Sequence, residues 1–498
     1  MSNYLTKSSV MSGLQCHKRL WMAKHDPLPR DENDDNPVLN MGTEVGKYAH
    51  NLFPGGQLVD AAPWEHQAAI AQTQKLMDDL SVPAIFEAAF EAEGIRVRVD
   101  ILERLPRGRW RILEVKASTE LKAEHVQDIA VQTWVVKQAG HKVESSHLLH
   151  INKEYVRGKN GIDCHKLFAS VDISGEIKAF AKDLPDVKET LLAVLRRKTA
   201  PVIEPSDHCH TPYECEFWDR CTADKPVDWV RYLPHISAKK KEELKAAGID
   251  AIRDIPQTFP LSDRQKVIRD VIASGKEWVS EELADVLATI TPPCFYLDFE
   301  TMNPAIPLYV GTKPYQRLPF QWSLHHVGKR GKLTHWEFLA DGKDDPRQSF
   351  TESLIEALSG STEPIVVYSG FENGVLRDMA KLYPQFANPI AGIQERLHDL
   401  LGTVRGHYCH PEFMGSYSIK DVGPVLAPDI TYDDLELVAN GSDASSLFAL
   451  LASGGIAGDD AVKKLRQALL TYCERDTLAM VRVHEALLKA IATRGRHA

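Results

Sequence analysis

The sequence predicts an α/β protein of more than one domain, on three observations. Two strand-rich blocks stand far apart, near residues 95–116 and 294–300, each followed by helical periodicity. The two blocks carry different carboxylate motifs. The chain of 498 residues is too long for one ordinary domain, and roughly two to four are expected. The expected division is a first domain over 1–225, a mostly helical linker over 226–290 and a second strand-and-helix domain over 291–498.

Composition narrows the class. Hydrophobic residues make up 43% and charged residues 26%, as in soluble globular chains, so each domain can bury a core. No run approaches the roughly 18 apolar residues of a membrane span. The opening Met1-Ser2-Asn3-Tyr4-Leu5 lacks the basic and apolar regions of a secretion leader, so a cytoplasmic protein without a membrane partner is expected. The net charge of −10 gives no bulk attraction to nucleic acid, so any such binding needs a local basic groove. Eight cysteines in a reduced compartment argue for metal or catalysis rather than disulfides.

The elements follow in order. Residues 7–24 read as a helix holding Cys16, His17, Lys18, Arg19 and Trp21, and 42–52 as another carrying His50. Arg96, Arg98 and Asp100 alternate with Val97, Val99 and Ile101, the period of a half-buried strand. Pro106-Arg107-Gly108 turns the chain into a returning strand over 110–116, and a helix over 124–140 comes next. The linker is helical, with Lys239-Lys240-Lys241 and a break at Gly248-Ile249, and Thr291-Pro292-Pro293 ends it. The second domain opens with a strand over 294–300. A buried strand over 364–369, a helix over 372–382 and a long helix over 460–494 complete it.

Cys16 stands alone, and Cys209, Cys215 and Cys221 sit together some two hundred residues later. This bracketing implies that the first domain begins and ends at one soft-metal site. Five residues separate each neighbouring pair of the three, wider than the close pairs of structural zinc sites. One remote and three neighbouring thiolates are closer to [4Fe–4S] practice. Zinc and ordinary buried cysteines are the other readings. Cys164, Cys294, Cys409 and Cys473 are expected to be small buried hydrophobes. His407-Tyr408-Cys409-His410 has the look of a metal box without the spacing.

Inside the bracket, Glu114 and Lys116 share one face of their strand, and Asp100 on the paired strand can reach it. Two carboxylates there suit Mg²⁺ or Mn²⁺, with the lysine positioning an attacking water. Gln132 on the next helix is a candidate to orient substrate or water, and His50 to add a ligand or a contact to a DNA end. A hairpin of solvated charges is the bland reading. Gly42-x-x-x-Gly46-x-x-x-His50, Asp100, Glu114-Val115-Lys116, Gln132 and the cysteine bracket resemble the iron–sulfur RecB-type PD-(D/E)xK exonucleases, such as the CRISPR-associated and AddB-type enzymes. The resemblance implies a restriction-endonuclease-like fold, DNA cleavage from ends and a structural cluster that staples the domain. Trp134 and Val136 stand where that family often has a tyrosine.

In Phe295-Tyr296-Leu297-Asp298-Phe299-Glu300, both acids face one way and the apolar residues the other. Two oxygen ligands on a strand are the minimum cradle for a two-metal site. Tyr472 and Asp476 are four apart on a helix and share a face. Glu372 is the candidate fourth acid, with Asp399 as its substitute. Two surface acids on an edge strand are the alternative. This set resembles the DEDD group of RNase H-like 3′→5′ exonucleases, which implies a mixed-sheet fold, metal held by Asp298, Glu300 and Asp476, and a water oriented by Tyr472. Glu372 departs from the group's usual aspartate. The whole layout, with Gly415-Ser416-Tyr417-Ser418-Ile419-Lys420, is similar to an uncharacterised bacterial family that joins the two nuclease types.

Residues 233–255 resemble a helix–hairpin–helix, whose turn amides bind phosphate; a helix ending on a C-cap glycine is the alternative. Tyr309, Tyr315, Phe320 and Trp322, interleaved with Lys313 and Arg317, suit stacking on single-stranded bases, or else core packing or a lid. The expectation is a metal-dependent nuclease with [4Fe–4S] and Mg²⁺ or Mn²⁺, acting on DNA ends or single-stranded DNA in preference to RNA. The alternatives are a C-terminal exonuclease acting on RNA and a non-catalytic nucleic-acid-binding module.

Overall fold

The computed structural model describes residues 4–29, 37–62 and 64–494. Met1, Ser2 and Asn3, on which the leader expectation partly rested, lie outside them. The protein is mixed α/β, in two compact units: residues 1–224 with 304–316, and residues 225–303 with 317–498. The segment 226–290, expected to be a linker, is therefore part of the second unit, and a short insert of the later sequence belongs to the first.

The first unit runs β1 (Leu5–Thr6), α1 (Lys7–Gln15), α2 (His17–His25), α3 (Pro37–His50), β2 (Gln57–Leu58), α4 (His66–Asp78), β3 (Ala84–Ala92), β4 (Ile95–Leu105), β5 (Arg109–Lys116), α5 (Ala123–Gln138), β6 (Lys142–Ile151), α6 (Cys164–Leu167), β7 (Phe168–Asp172), α7 (Ile177–Leu195) and α8 (Trp218–Thr222). Its seven-stranded sheet has the order β2-β3-β4-β5-β6-β7, with β1 beside β4. β3, β4 and β5 form an antiparallel meander, and β6 returns parallel to β5. That parallel step needs a crossover, which α5 supplies. The expected alternation holds in β4: Ile95, Val97, Val99 and Ile101 are buried, while Arg96, Arg98 and Asp100 are half-buried. Thr6 caps α1 by accepting from Ser9 N at 3.1 Å, which aims the first helical residue, Lys7, at the sheet.

The second unit runs α9 (Ala238–Ala246), α10 (Asp263–Ser274), β8 (Trp278–Val279), α11 (Leu283–Ala288), β9 (Cys294–Met302), β10 (Leu318–Val327), β11 (Leu333–Leu339), α12 (Arg347–Ala357), β12 (Ile365–Val367), α13 (Phe371–Leu382), α14 (Ala387–Gln394), β13 (Leu397–Asp399), α15 (Leu400–His407), β14 (Tyr408–Cys409), α16 (Ile419–Leu426), α17 (Gly441–Ala452) and α18 (Asp459–Arg494). Its main sheet has the order β11-β10-β9-β12-β13. β9, β10 and β11 are an antiparallel meander, and β12 and β13 run parallel to β9. α18 packs over β9 and β10. Phe295, Leu297 and Phe299 bury one face of β9 in a core with Trp322, Phe350 and Val367. The opposite face is thereby left for Asp298 and Glu300.

The insert is packed rather than presented. Ala305 and Ile306 join the core of Val45, Phe86, Ile101 and Leu113. The Tyr315 hydroxyl donates to Ala117 O, Arg157 Nη1 donates to Pro307 O at 2.7 Å, and Lys313 pairs with Glu154 at 3.0 Å. In the second unit Phe320 and Trp322 are buried in β10, and Arg317 pairs with Asp378 at 2.8 Å. For Phe320 and Trp322, core packing is the expected role that their burial matches. In the Lys-rich segment, the chain leaves α9 through Gly248, whose left-handed φ of 72° glycine adopts without strain. Gly248 N already donates to Lys245 O at 3.0 Å and Ile249 N to Leu244 O at 2.9 Å. These turn amides are engaged by the helix end, as in a C-cap, and a 3-10 turn at Ile252–Asp254 follows where a hairpin motif has a second helix.

Candidate functional site

In the first unit the β4–β5 ladder runs from Leu105↔Arg109 to Ile101↔Leu113 and then opens. Asp100 and Glu114 occupy the opening. The Asp100 carboxylate takes over the ladder's role by accepting from Val115 N at 2.7 Å. Glu114, 1% exposed, is fully engaged. Its Oε1 accepts from Lys7 Nζ at 2.9 Å and Lys116 Nζ at 2.6 Å, and its Oε2 from Gln132 Nε2 at 2.5 Å. Asp128 closes the network, with Lys116 Nζ at 2.7 Å, Lys7 Nζ at 3.1 Å and Gln132 Nε2 at 3.0 Å.

The charges follow from this geometry. Burial pushes the Glu114 carboxyl up, but Lys7 and Lys116 overcome it and hold the group well below the usual range. Burial and the Glu114 charge push Asp100 well above its usual value. Across β3, Glu87 stands opposite Asp100 in left-handed backbone, φ 56°, uncommon for a residue with a side chain. Burial raises its carboxyl as well. Glu87, Asp100 and Glu114 thus lie in a row across β3, β4 and β5 on one face of the sheet.

Gln132, a candidate to orient substrate or water, is fully buried and donates to Glu114 and Asp128; its Oε1 has no partner among the described residues. His50 stacks flat on Phe86, with ring centroids 3.9 Å apart, and burial lowers its pKa. No local pattern pointed to Lys7 or Glu87. Asp128 carried one usable signal, its i,i+4 spacing from Gln132.

The cysteine bracket is held together by its flanks. Gln15 Nε2 donates to His208 O at 2.9 Å and Tyr213 O at 2.6 Å, Arg19 Nε to Glu216 at 2.8 Å, and Arg220 Nη1 to Asp26 O at 2.7 Å. Cys16 sits at the α1–α2 junction, and Cys215 N donates to Cys209 O at 2.8 Å. Burial pushes the Cys215 thiol up. No three of the four sulfurs lie within 4.8 Å of one another.

In the second unit, oxygen atoms of Asp298, Glu300 and Asp476 lie within 4.8 Å of one another. β9 supplies the first two and α18 the third, from positions far apart in the chain. Burial is the main cause that raises all three carboxyls, and the mutual charges add to it for Asp298 and Glu300. Lys420 opposes the shift at Glu300, and the Tyr432 and Tyr472 hydroxyls oppose it at Asp476. Tyr432 donates to Asp476 Oδ1 at 2.5 Å. Lys420 Nζ lies 5.0 Å from the Tyr472 ring centroid and 5.3 Å from that of Tyr432. Cys473, expected to be a filler, donates its S–H to Asp298 Oδ2 at 3.4 Å. Lys420 and Tyr432 come from α16 and the loop beyond it, too far from either acid motif in sequence to be paired with one.

Glu372 sits in the first turn of α13, entered through Ser369 at a left-handed φ of 122°. It lies outside the tight trio, yet its charge raises Asp298 and Glu300. Its Oε2 is buried with no partner among the described residues. Asp399 caps α15 by accepting from Gly402 N at 2.9 Å and is exposed. Burial pushes the Glu372 carboxyl up to about 8, against its own backbone N–H, and Asp399 adds to the rise. A raised acid binds its proton more tightly folded than unfolded, so its contribution is present below the ordinary carboxyl range and lost as pH rises to about 8. Metal-free protein is therefore expected to lose thermal stability across that window. Glu372→Gln should flatten the dependence, which melting curves at several pH values would check.

Residues 295–418 match the family model of a domain of unknown function, DUF2779. That stretch contains Asp298, Glu300 and Glu372 and stops short of Asp476. No curated protein matches. A solved structure described as "Crystal structure of SSO0001" is similar at 13% identity, covering 41% of this chain and 89% of that one, with a TM-score of 0.17. Among the described residues no helix is long and apolar enough to cross a membrane.

Proposed function

We propose that the protein is a cytoplasmic, metal-dependent nuclease that hydrolyses phosphodiester bonds, with DNA ends or single-stranded DNA as substrate. The observation that carries this reading is the convergence of half-buried Asp298 with buried Glu300 and Asp476. Three converging carboxylates raised by burial, two of them also by their neighbours' charge, call for a cation. The donor set is all oxygen, which suits Mg²⁺ or Mn²⁺, and Glu372 Oε2, without a partner among the described residues, would offer a further oxygen in the same field. When bound, such an ion polarises the phosphoryl group and makes water nucleophilic near neutral pH.

The chain's own residues do the rest. Asp298, Glu300 and Asp476 would hold the cation, with Tyr432 and Cys473 orienting two of the three carboxylates. Tyr472, one helical turn from Asp476, positions the attacking water. Lys420 supplies positive charge beside the scissile phosphate. Water adds to phosphorus, the bridging P–O bond breaks, and the proton passes to the leaving oxygen. An RNase H-like, DEDD-type architecture for this unit is supported by D-x-E on the central strand and Y-x-x-x-D on a late helix.

We read the first unit as a RecB-type PD-(D/E)xK nuclease. Its support is the row of Glu87, Asp100 and Glu114 at an opened strand pair, with Lys116 between Glu114 and Asp128. A cation entering there meets a Glu114 already neutralised by two lysines, so those lysines must yield. The four cysteines suit a [4Fe–4S] staple: the donors are all thiolate, and the polar grips around Cys16 and Cys215 already hold the domain's two ends together. Anaerobically purified protein is expected to be brown and to contain iron and sulfide, and Cys209→Ser protein to lose both. Colourless protein with zinc would remove the cluster from this reading.

The test of function is cleavage of end-labelled DNA and RNA oligonucleotides with Mg²⁺ or Mn²⁺, using the parent chain, Lys116→Ala, Asp298→Ala and the double variant. Activity on DNA that the double variant lacks is the expected result. Unchanged cleavage by the double variant would sink the proposal. Cleavage confined to RNA and to Asp298 would leave only the second site.

A further inference from the structure

We propose that His325, His335 and Glu474 form a second cation site in the second unit, distinct from the carboxylate trio and suited to a transition-metal dication such as Zn²⁺. His325 and His335 are direct cross-strand partners in the antiparallel β10–β11 ladder. Directly opposed residues share a face of the sheet, and their rings stand 4.4 Å apart, centroid to centroid, at 32°. α18 crosses the same face and brings Glu474 over the pair. One ligand atom from each of the three lies within 4.8 Å of the other two.

The surrounding hydrogen bonds fit metal-binding imidazoles. His325 Nδ1 is held by Thr477 Oγ1 at 2.8 Å, and His335 Nε2 by Ser323 Oγ at 2.9 Å. Ser323 and Thr477 hydroxyls meet each other at 2.8 Å, so the two rings share one outer shell. Such a shell fixes ring orientation and leaves the opposite nitrogen to the metal. The nitrogens left are Nε2 of His325 and Nδ1 of His335.

His335 Nδ1 lies 3.8 Å from Glu474 Oε1, too long for a hydrogen bond. Ligands held by one ion at about 2.0–2.2 Å stand roughly 3.3–3.5 Å apart when tetrahedral. Closing that gap needs only a small movement of Glu474, whose side chain is 48% exposed and can swing. That exposure also supplies the route of entry.

Donor chemistry separates the two sites. Two imidazoles and one carboxylate favour Zn²⁺ and its neighbours, whereas an all-oxygen trio favours Mg²⁺ or Mn²⁺. Three protein ligands leave a position for water or another group. An ion here would pin Glu474, two residues before Asp476 on the same helix. The inference does not depend on nuclease activity, because its readout is metal content.

The experiment is a Zn²⁺ titration against a chromophoric chelator, on the full chain in excess Mg²⁺, with the parent, His335→Gln, Glu474→Gln and Asp298→Asn. Expected are one Zn²⁺ fewer per chain in His335→Gln, an affinity at least about tenfold weaker at one site in Glu474→Gln, and no change in Asp298→Asn. Co²⁺ in place of Zn²⁺ should give shifted imidazole N–H proton resonances that vanish in His335→Gln. Equal Zn²⁺ content in the parent and a folded His335→Gln would overturn the proposal. Loss of the same equivalent in Asp298→Asn would overturn it too, by moving that ion to the trio. If His335→Gln does not fold, the rim substitution Glu474→Gln decides by the same titration.

Discussion

Asp298→Asn is expected to lower metal-dependent cleavage by the second unit about a thousandfold, while raising the melting temperature of the metal-free protein. The first effect follows from the several kcal/mol that a held cation contributes to a phosphoryl transition state, at about 1.4 kcal/mol per factor of ten. The second follows from the same geometry. Asp298 is half-buried beside Asp476, Glu300 and Glu372, and desolvation and those charges raise its carboxyl well above the usual value. Without a cation the ionised trio repels itself; an amide of the same shape removes one charge and relieves it. Mg²⁺ should therefore stabilise the parent and leave Asp298→Asn nearly unmoved. Calorimetry with and without Mg²⁺, beside single-turnover cleavage, checks both halves. A variant that loses activity but keeps the full Mg²⁺-induced rise would place the ion elsewhere.

Lys7→Met should destabilise the first unit by about 3 kcal/mol, because removing one partner of a buried ion pair strands the other. Glu114 is 1% exposed and Lys7 is one of its two ammonium partners. For a unit of this size that is a fall of roughly 6–12 °C in melting temperature. The loss should depend on pH in a defined direction. Burial raises the Glu114 carboxyl, and Lys7 and Lys116 lower it further than burial raises it, so the folded group titrates below its ordinary range. A lowered acid contributes stability above the unfolded value and loses it as pH falls toward the folded one. The penalty for Lys7→Met is thus larger near neutral pH than at about pH 4, where Glu114 of the variant can take up a proton. Lys116→Met added to Lys7→Met should cost less than the sum of the two, since both serve one carboxylate. Urea melts of the four proteins at both pH values measure this.

Much of both sites was legible in the sequence, for local reasons. A strand's period of two put Asp298 and Glu300 on one face, and the structure brings them together with Asp476. The same period put Glu114 and Lys116 side by side, and their ion pair is 2.6 Å. The four-residue spacing of Tyr472 and Asp476 needed only helical geometry. Roles that depended on surroundings fared differently. Gln132, read as orienting substrate or water, is buried and donates to Glu114, and Cys473, read as a small buried hydrophobe, is buried and also donates to Asp298. For Trp322 and Phe320, stacking on bases and core packing stood as equal alternatives, and both side chains are core. Aromatic and polar side chains serve as core or as surface with equal ease, and burial, not composition, chooses between them.

The sequence by itself determined the mixed α/β class, the alternation that separates core from acid faces, and the residue types able to hold a cation. These are short-range properties, set by backbone periodicity and side-chain chemistry. Only the tertiary structure decided that Lys7, Glu87 and Asp128 crowd the Glu114 pocket, that Lys420 and Tyr432 face the Asp298 trio, and that His325 and His335 pair beneath Glu474. Those neighbours are distant in the chain, and strand register and helix docking bring them together through packing that no local pattern encodes.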